Sequence, residues 1–503
     1  MRSRASALKL NTITVLLGEI VALVCGLILP RLIIVSYGSA QNGLVSSISQ
    51  FLSFSVVLRA GVGGVTRAAL FKPLADNDTD KINAIMSATS SYMKKVGLII
   101  AGAVIAFSFV YPFMVADEFS WWYSFLMVII LGGATFAENF FGIKNMLLLQ
   151  ADQKMYIQNI SATVAYLGGF FVSVVFINLG FDMLIVKFGT LLTFLIKPLM
   201  LEIYVRKNYK IDMKVPPDNH ALKNRWDAFA QQLAIIVNGS IDIVLITMFS
   251  ALGNVSVYTI HCMVVNNLGK VIQSPVMGVG PTFGSMMANG EKDNLKRSFC
   301  FIEWGMFALT TFIFSVTAFM ISPFVDIYTH SVTDVNYHQP VFAFLLVVVM
   351  MLNSLRIPYQ SVVEAAGHFK QTRNGAILEV VVHIVVSGLL LIKLGIVGVV
   401  IGALLSSIIR TLQYSVYSMK NILDFSVIHV IKNYVVYFVC FVVCIFICRL
   451  LPFSQPDNYM KWCLIAVVVT VISFVLVVIT SLVFNYKDVM YLLDRLIKSK
   501  KRK

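Results

Sequence analysis

The residues of this chain that could do chemistry are ionisable side chains set inside long apolar runs. The cations are Arg31, Arg59, Lys187, Lys197, Lys270, Arg356 and Arg410. The anions are Glu19, Glu138, Asp242, Glu202, Glu303 and Glu379. A charge in hydrocarbon is expensive unless it is paired or wetted, so each is a functional candidate. Arg59 and Lys270 occupy similar depths in counterpart segments of an internal repeat. Facing one interior they would bind an anion midway through a membrane; the other reading pairs them with Glu19 or Glu138. Asp242 could hold a coupling cation or proton, or it could neutralise Lys270. Arg31 and Lys187 lie near outer segment ends, and Lys187 is expected to snorkel to the interface. Lys197 and Arg410 are repeat-equivalent and near the inner interface, where packing, lipid contact and function are all open. Glu202, Glu303 and Glu379 lie near inner segment ends and are expected to be solvated.

Enzymatic chemistry finds little to work with. The phosphate-cradling pattern GxxxxGK[ST] is absent, which excludes a built-in ATP motor. His261, His330, His338, His368, His383 and His429 are scattered, with no ligand cluster. The cysteines all lie in apolar segments without zinc-like spacing. Cys440, Cys444 and Cys448 share one helix face and are expected to pack there. The expectation is therefore no catalytic residue, no metal and no cofactor. Na+ or H+ would be the coupling ion, with Asp242, Glu138 and Glu19 as the carboxylates to hold it. Transport would otherwise be drawn by removal of product.

Long apolar elements must position these charges. The 503 residues are 58% hydrophobic and only 13% charged, against about 25% charged in soluble domains. Runs long enough to cross a bilayer lie near 10–35, 44–66, 94–116, 121–143, 156–178, 183–204, 228–250, 255–283, 299–323, 339–362, 376–394, 396–418, 433–451 and 460–484. The fold class predicted is an all-α integral membrane protein of about 14 transmembrane helices. The basic N-terminal residues Arg2 and Arg4 lead into an apolar run too long for a cleavable signal, which reads as the first span.

The net charge of +15 does not point to nucleic acid, because the basic residues sit in alternate short loops. Arg67, Lys72, Lys81, Lys94 and Lys95 form one group. Arg206, Lys207, Lys210, Lys214, Lys223 and Arg225 form another, and Lys292, Lys296 and Arg297 a third. The opposite loops carry Asp117, Glu118, Asp326, Asp334 and Asp457 instead. The positive-inside rule then puts both termini in the cytoplasm, and an even helix count agrees. The basic tail Lys498–Lys503 suits orientation and contact with anionic lipid.

The chain also repeats itself at an interval of about 215 residues. Gly38 falls opposite Gly253, Gly61–Gly64 opposite Gly278–Pro281, Ala151 opposite Ala366, and Asn159 opposite Asn374. Leu179-Gly180 aligns with Leu394-Gly395, and Lys207-Asn208 with Lys420-Asn421. The organisation expected is a six-helix lobe over 1–205, a cytoplasmic linker over 206–227 and a second six-helix lobe over 228–420. Two added helices and a basic tail fill 421–503. Even-numbered lobes insert the same way up and are related by an axis along the membrane normal. Alternating-access carriers are built from such paired lobes, with the substrate site between them. Gly398 and Gly402 are among the intramembrane glycines expected to bring helices close.

The stretches "GLILPRLIIVSYGSAQNGLVSSISQFL" (26–52), "AGVGGVTRAALFKPLA" (60–75), "LLLQADQKMYIQ" (147–158) and "AAGHFKQTRNGAILE" (365–379) carry a resemblance. Through them the chain resembles the Wzx-type polysaccharide flippases, in the superfamily that also holds the multidrug MATE transporters and the lipid II flippases. The resemblance implies a plasma-membrane carrier that moves a lipid-linked oligosaccharide on undecaprenyl pyrophosphate from the inner to the outer leaflet. It implies service to cell-surface polysaccharide synthesis, with a glycosyltransferase or polymerase of the same pathway as partner. In the related lipid II flippases, arginines of the first two helices and the eighth line the cavity. Arg31 and Arg59 match the first two; Lys270 is the nearest cation on the eighth, without the bidentate fork of arginine. Arg356 completes the candidate cations for the pyrophosphate. A MATE-like exporter of organic cations is the alternative, disfavoured by the number of deep cations. A membrane enzyme of polysaccharide assembly is more remote, because no outer loop could hold a catalytic domain.

Overall fold

The computed structural model describes residues 4–212, 215–216, 225–276 and 279–492, with the side chains of 4–9, 58–62, 225–235 and 275 outside the description. The described residues form helices and short connections, with no strand among them. Among the described residues, eleven helices are long and apolar enough to cross a membrane. They coincide with eleven of the fourteen expected runs. The other three, the second, seventh and eighth, are helical but are not among the eleven. The second is broken at Phe54 into α2 (Ser39–Ser53) and α3 (Ser55–Asp76). The eighth is broken by a 3-10 turn at Ser274–Val276, between α11 and α12. Of the seventh, the shorter apolar stretch Ile236–Phe249 is counted. Large apolar side chains such as Phe113, Ile392 and Ile428 are about three-quarters exposed. Such a surface is stable only against lipid, and the chain is a multi-pass membrane protein.

The chain forms two compact units, Met1–Ser256 and Val257–Lys503. The first holds α1 (Arg4–Tyr37), α2, α3, α4 (Thr79–Met114), α5 (Trp121–Ala137), α6 (Ile143–Ala151), α7 (Met155–Asn178), α8 (Met183–Phe194), α9 (Ile196–Asn208) and α10 (Arg225–Phe249). A π-helical turn, Glu138–Gly142, joins α5 to α6. α1 packs on α7, α4 on α5, α7 on α8, and α10 against α2 and α3. The seam between α2 and α10 is polar. Gln50 Nε2 donates to Ser240 Oγ at 2.6 Å, and Thr247 Oγ1 to Ser47 Oγ at 2.8 Å. At its end Asn42 Nδ2 donates to Ser256 Oγ at 2.8 Å, and a methyl on Gly43 would lie 1.9 Å from the Leu252 carbonyl oxygen. Glycine at 43 is what lets the two backbones meet.

α11 (Leu252–Gln273) spans the division. The second unit continues with α12 (Val279–Ala288), α13 (Lys292–Tyr328), α14 (Pro340–Leu355), α15 (Ile357–Ala365), α16 (Phe369–Leu394), α17 (Ile396–Ser418), α18 (Val427–Leu450) and α19 (Tyr459–Phe484). α13 packs against α14, α18 and α19. Cys440, Cys444 and Cys448 are buried on the inner face of α18, among side chains of α13 and α19, as their shared face predicts.

The internal repeat is visible in the chain reversals. Asn77 and Gly290, Gln153 and Gly367, and Gly180 and Gly395 all have left-handed φ, between 56° and 74°. Each pair is separated by about the repeat interval and ends a corresponding helix. α16 and α17 meet most closely through Gly398 and Gly402. A methyl on Gly398 would sit 2.3 Å from the Leu390 carbonyl oxygen, and one on Gly402 2.6 Å from the Ser387 amide nitrogen. Neither neighbour is a flexible side-chain end, so the helices must separate. Gly398→Ala and Gly402→Ala should each destabilise by about 1–3 kcal/mol, seen as a lower melting temperature in detergent. Gly388→Ala, with open space at its Cβ, should not.

Candidate functional site

The intramembrane charges sort into the two units. The first unit holds Arg31, Arg59, Lys187, Lys197, Glu19, Glu138, Glu202 and Asp242. The second holds Lys270, Glu303, Arg356, Glu379 and Arg410.

Arg31 follows the helix-internal Pro30 on α1 and is half-buried; Glu19, three turns earlier, is exposed. Arg59 is on α3, and its side chain lies outside the described residues. Asp242 is half-buried on α10, close in sequence to the Ser240 that bonds to α2. Glu138 opens the π-helical turn, where its Oε1 accepts from Lys197 Nζ of α9 at 2.8 Å. The pair lines a small pocket with Gly142, Ile143, Met146, Pro198 and Leu201. Glu202, one turn beyond, accepts from Asn145 Nδ2 at 2.7 Å and Arg206 Nε at 2.8 Å. Lys187 does not snorkel as expected. It is only 8% exposed, because it shares the inward face of α8 with Met183, Val186 and Gly189.

The second unit contains a triad of two buried residues, Glu379 and Arg410, and the half-buried Arg356. Arg356 stands between α14 and α15, where the helix bends, and its Nη1 donates to Glu379 Oε1 of α16 at 2.9 Å. The other oxygen of Glu379 faces Arg410 Nε of α17 at 3.4 Å. Arg410 is held on every side. Its Nη1 donates to the Thr372 carbonyl at 2.8 Å and to Gln413 Oε1 at 2.5 Å, and its Nη2 donates to Tyr414 Oη at 2.7 Å. Its guanidinium also lies 4.1 Å from the centre of the Tyr414 ring. Two guanidiniums therefore share one carboxylate, which leaves the cluster one positive charge in excess. Arg356 is the less committed of the two. Lys270, in the last turn of α11, is exposed.

Two expectations are corrected here. Glu379 and Glu303 were placed near helix ends and expected in solvent, yet they are 7% and 1% exposed. The facing side decides: Glu379 faces α15 and α17, and Glu303 faces α15 and α18. Tyr359 Oη donates to Glu303 Oε1 at 2.5 Å, and His429 Nε2 lies 2.8 Å from Glu303 Oε2. Sequence reasoning also missed that Cys300, Glu303 and His429 converge. Cys300 and Glu303 are three apart, on one face of α13, which was a readable signal; His429 lies 126 residues on.

No family model and no curated protein matches the chain. Solved structures do match its fold. The lipid II flippase MurJ in an inward closed conformation superposes with a TM-score of 0.72 at 16% identity, covering 96% of this chain and 99% of that one. A multidrug resistance MATE family transporter of the MOP superfamily, inward-facing, gives 0.63 at 14% identity, covering 78% and 93%. A MOP superfamily transporter from Pyrococcus furiosus, described by the reverse polarity of its binding pocket, gives 0.57 at 14%, covering 82% and 96%. The chain has the fold of these transporters.

Proposed function

We propose that the chain is a flippase that carries a lipid-linked oligosaccharide, built on undecaprenyl pyrophosphate, from the inner to the outer leaflet by alternating access. The observation that carries this is the extent of the likeness to the lipid II flippase. The unmatched 4% of this chain is about 20 residues, fewer than either α18 or α19 with 24 and 26. Neither C-terminal helix can lie wholly outside the match, whereas the MATE transporter covers 78% of the chain. The charge inventory supports the same reading. Each unit carries cations for a diphosphate, Arg31 and Arg59 in the first, Lys270 and Arg356 in the second. A diphosphate in a low-dielectric site needs such donors. Plasma membrane placement, cytoplasmic termini and service to surface polysaccharide synthesis belong to the same proposal. So does partnership with a glycosyltransferase or polymerase of the pathway.

Reconstitution into vesicles tests it. A fluorescent short-chain polyprenyl diphosphate oligosaccharide in the inner leaflet should become accessible to an impermeant quencher when the protein is present. Movement of organic cations with no movement of the lipid would establish the MATE-like exporter instead.

Asp242, half-buried within the apolar stretch of α10, is the proposed coupling carboxylate. Asp242→Asn should leave the protein folded and abolish the acceleration of transport by an imposed Na+ or H+ gradient. Unchanged acceleration in that variant would remove Asp242 from the coupling step.

A further inference from the structure

Where α13 and α18 pack together, three side chains of zinc-ligand type meet outside the transport charges. One ligand atom each from Cys300, Glu303 and His429 lie within 4.8 Å of one another. Cys300 and Glu303 come from successive turns of α13, and His429 from the first turn of α18. Asp488, just beyond α19, acts electrostatically on Cys300, Glu303 and His429.

The surroundings resemble those of a metal centre more than those of a plain ion pair. Glu303 is buried, and its Oε1 is held by Tyr359 at 2.5 Å, so only Oε2 is turned to the cluster. Metal-binding carboxylates are oriented by such outer hydrogen bonds. The Phe425 ring stacks on the His429 imidazole at 5.6 Å between centroids, which fixes the ring. An ion pair gives no role to a thiol, whereas thiolate, imidazole and carboxylate together form the mixed set that zinc accepts. Tetrahedral bonds of about 2.0–2.3 Å put ligand atoms roughly 3.3–3.8 Å apart. The 2.8 Å pair of His429 and Glu303 must therefore open by about half an ångström, and the thiol must close in.

We propose that Cys300, Glu303 and His429, with a fourth position open to solvent, form a site for a divalent transition metal of the zinc class. The ion ties α18 to α13. On binding, Cys300 and any protonated His429 release their protons to solvent, so affinity rises with pH.

The test uses the full-length, untagged protein in detergent, stripped with chelator and titrated with Co2+ and then Zn2+. The expected result is one equivalent of cobalt with the d–d bands of a four-coordinate site and a thiolate charge-transfer band, displaced by zinc. Cys300→Ser should lose the charge-transfer band, and His429→Ala should lose stoichiometric binding. Tyr359→Phe, outside the ligand shell, should weaken binding about 10-fold. Cys463→Ser, an exposed thiol elsewhere, should bind as the parent does. Circular dichroism and gel filtration confirm that each variant is folded. Failure of the folded parent to bind cobalt, or an unchanged spectrum in Cys300→Ser, would overturn the proposal. Neither outcome depends on the transported substrate.

Discussion

Glu379→Ala is expected to cost the folded protein about 3–5 kcal/mol, the usual penalty for removing one partner of a buried ion pair. The carboxylate is the counter-ion of two guanidiniums, Arg356 at 2.9 Å and Arg410 at 3.4 Å, and its side chain is only 9% exposed. Without it the two cations repel across a site that water reaches poorly. Arg410 cannot turn away, because Thr372, Gln413 and Tyr414 hold it. Expression with thermal unfolding in detergent checks this: the variant should melt far lower or fail to accumulate. Returning the cluster to its original single excess positive charge should recover part of the loss, so Glu379→Ala combined with Arg356→Met should be more stable than Glu379→Ala alone. A Glu379→Ala protein as stable as the parent would mean that the triad carries no structural weight.

Arg59→Ala is expected to remove transport while leaving insertion and folding intact. Truncating one member of a desolvated charge pair costs about 2–5 kcal/mol of binding, a loss of headgroup affinity of at least about 30-fold. Arg59→Lys separates charge from geometry. It should retain part of the activity if charge alone holds the diphosphate, and none if the bidentate fork is required. Vesicle transport with equal amounts of folded protein decides, and full activity in Arg59→Ala would remove the anion-site argument.

Eleven of the spans, and the chain reversals that recur at the repeat interval, were legible because they rest on local signals. A left-handed residue such as Gly180 or Gly395 punctuates the chain whatever its neighbours, and an apolar run of about 20 residues has few fates other than a membrane. The close approach of α16 and α17 was legible for the same reason, since Gly398 and Gly402 are four apart on one face. The partners of the buried charges were not legible. The directions of Glu303 and Glu379 are set by the helices packed against them. Lys187 likewise faces inward from α8, although its position near the start of that helix allowed snorkelling. Breaks such as the one at Phe54 also escaped, because no proline or glycine marks that position. His429 meets Cys300 and Glu303 only because α18 folds back along α13, which no spacing in the sequence announces.

The most direct test of the account is ligand-dependent thermal stability of the purified protein. A ligand that binds only the folded state raises the apparent melting temperature with its occupancy. The panel holds a short-chain polyprenyl diphosphate oligosaccharide, the same lipid without its diphosphate, and organic cations. A diphosphate-lipid flippase should be stabilised by the first alone, and Arg59→Ala should lose that stabilisation. Stabilisation by organic cations, with no response to the diphosphate lipid, would contradict the account and make Asp242 and Glu138 the residues to examine.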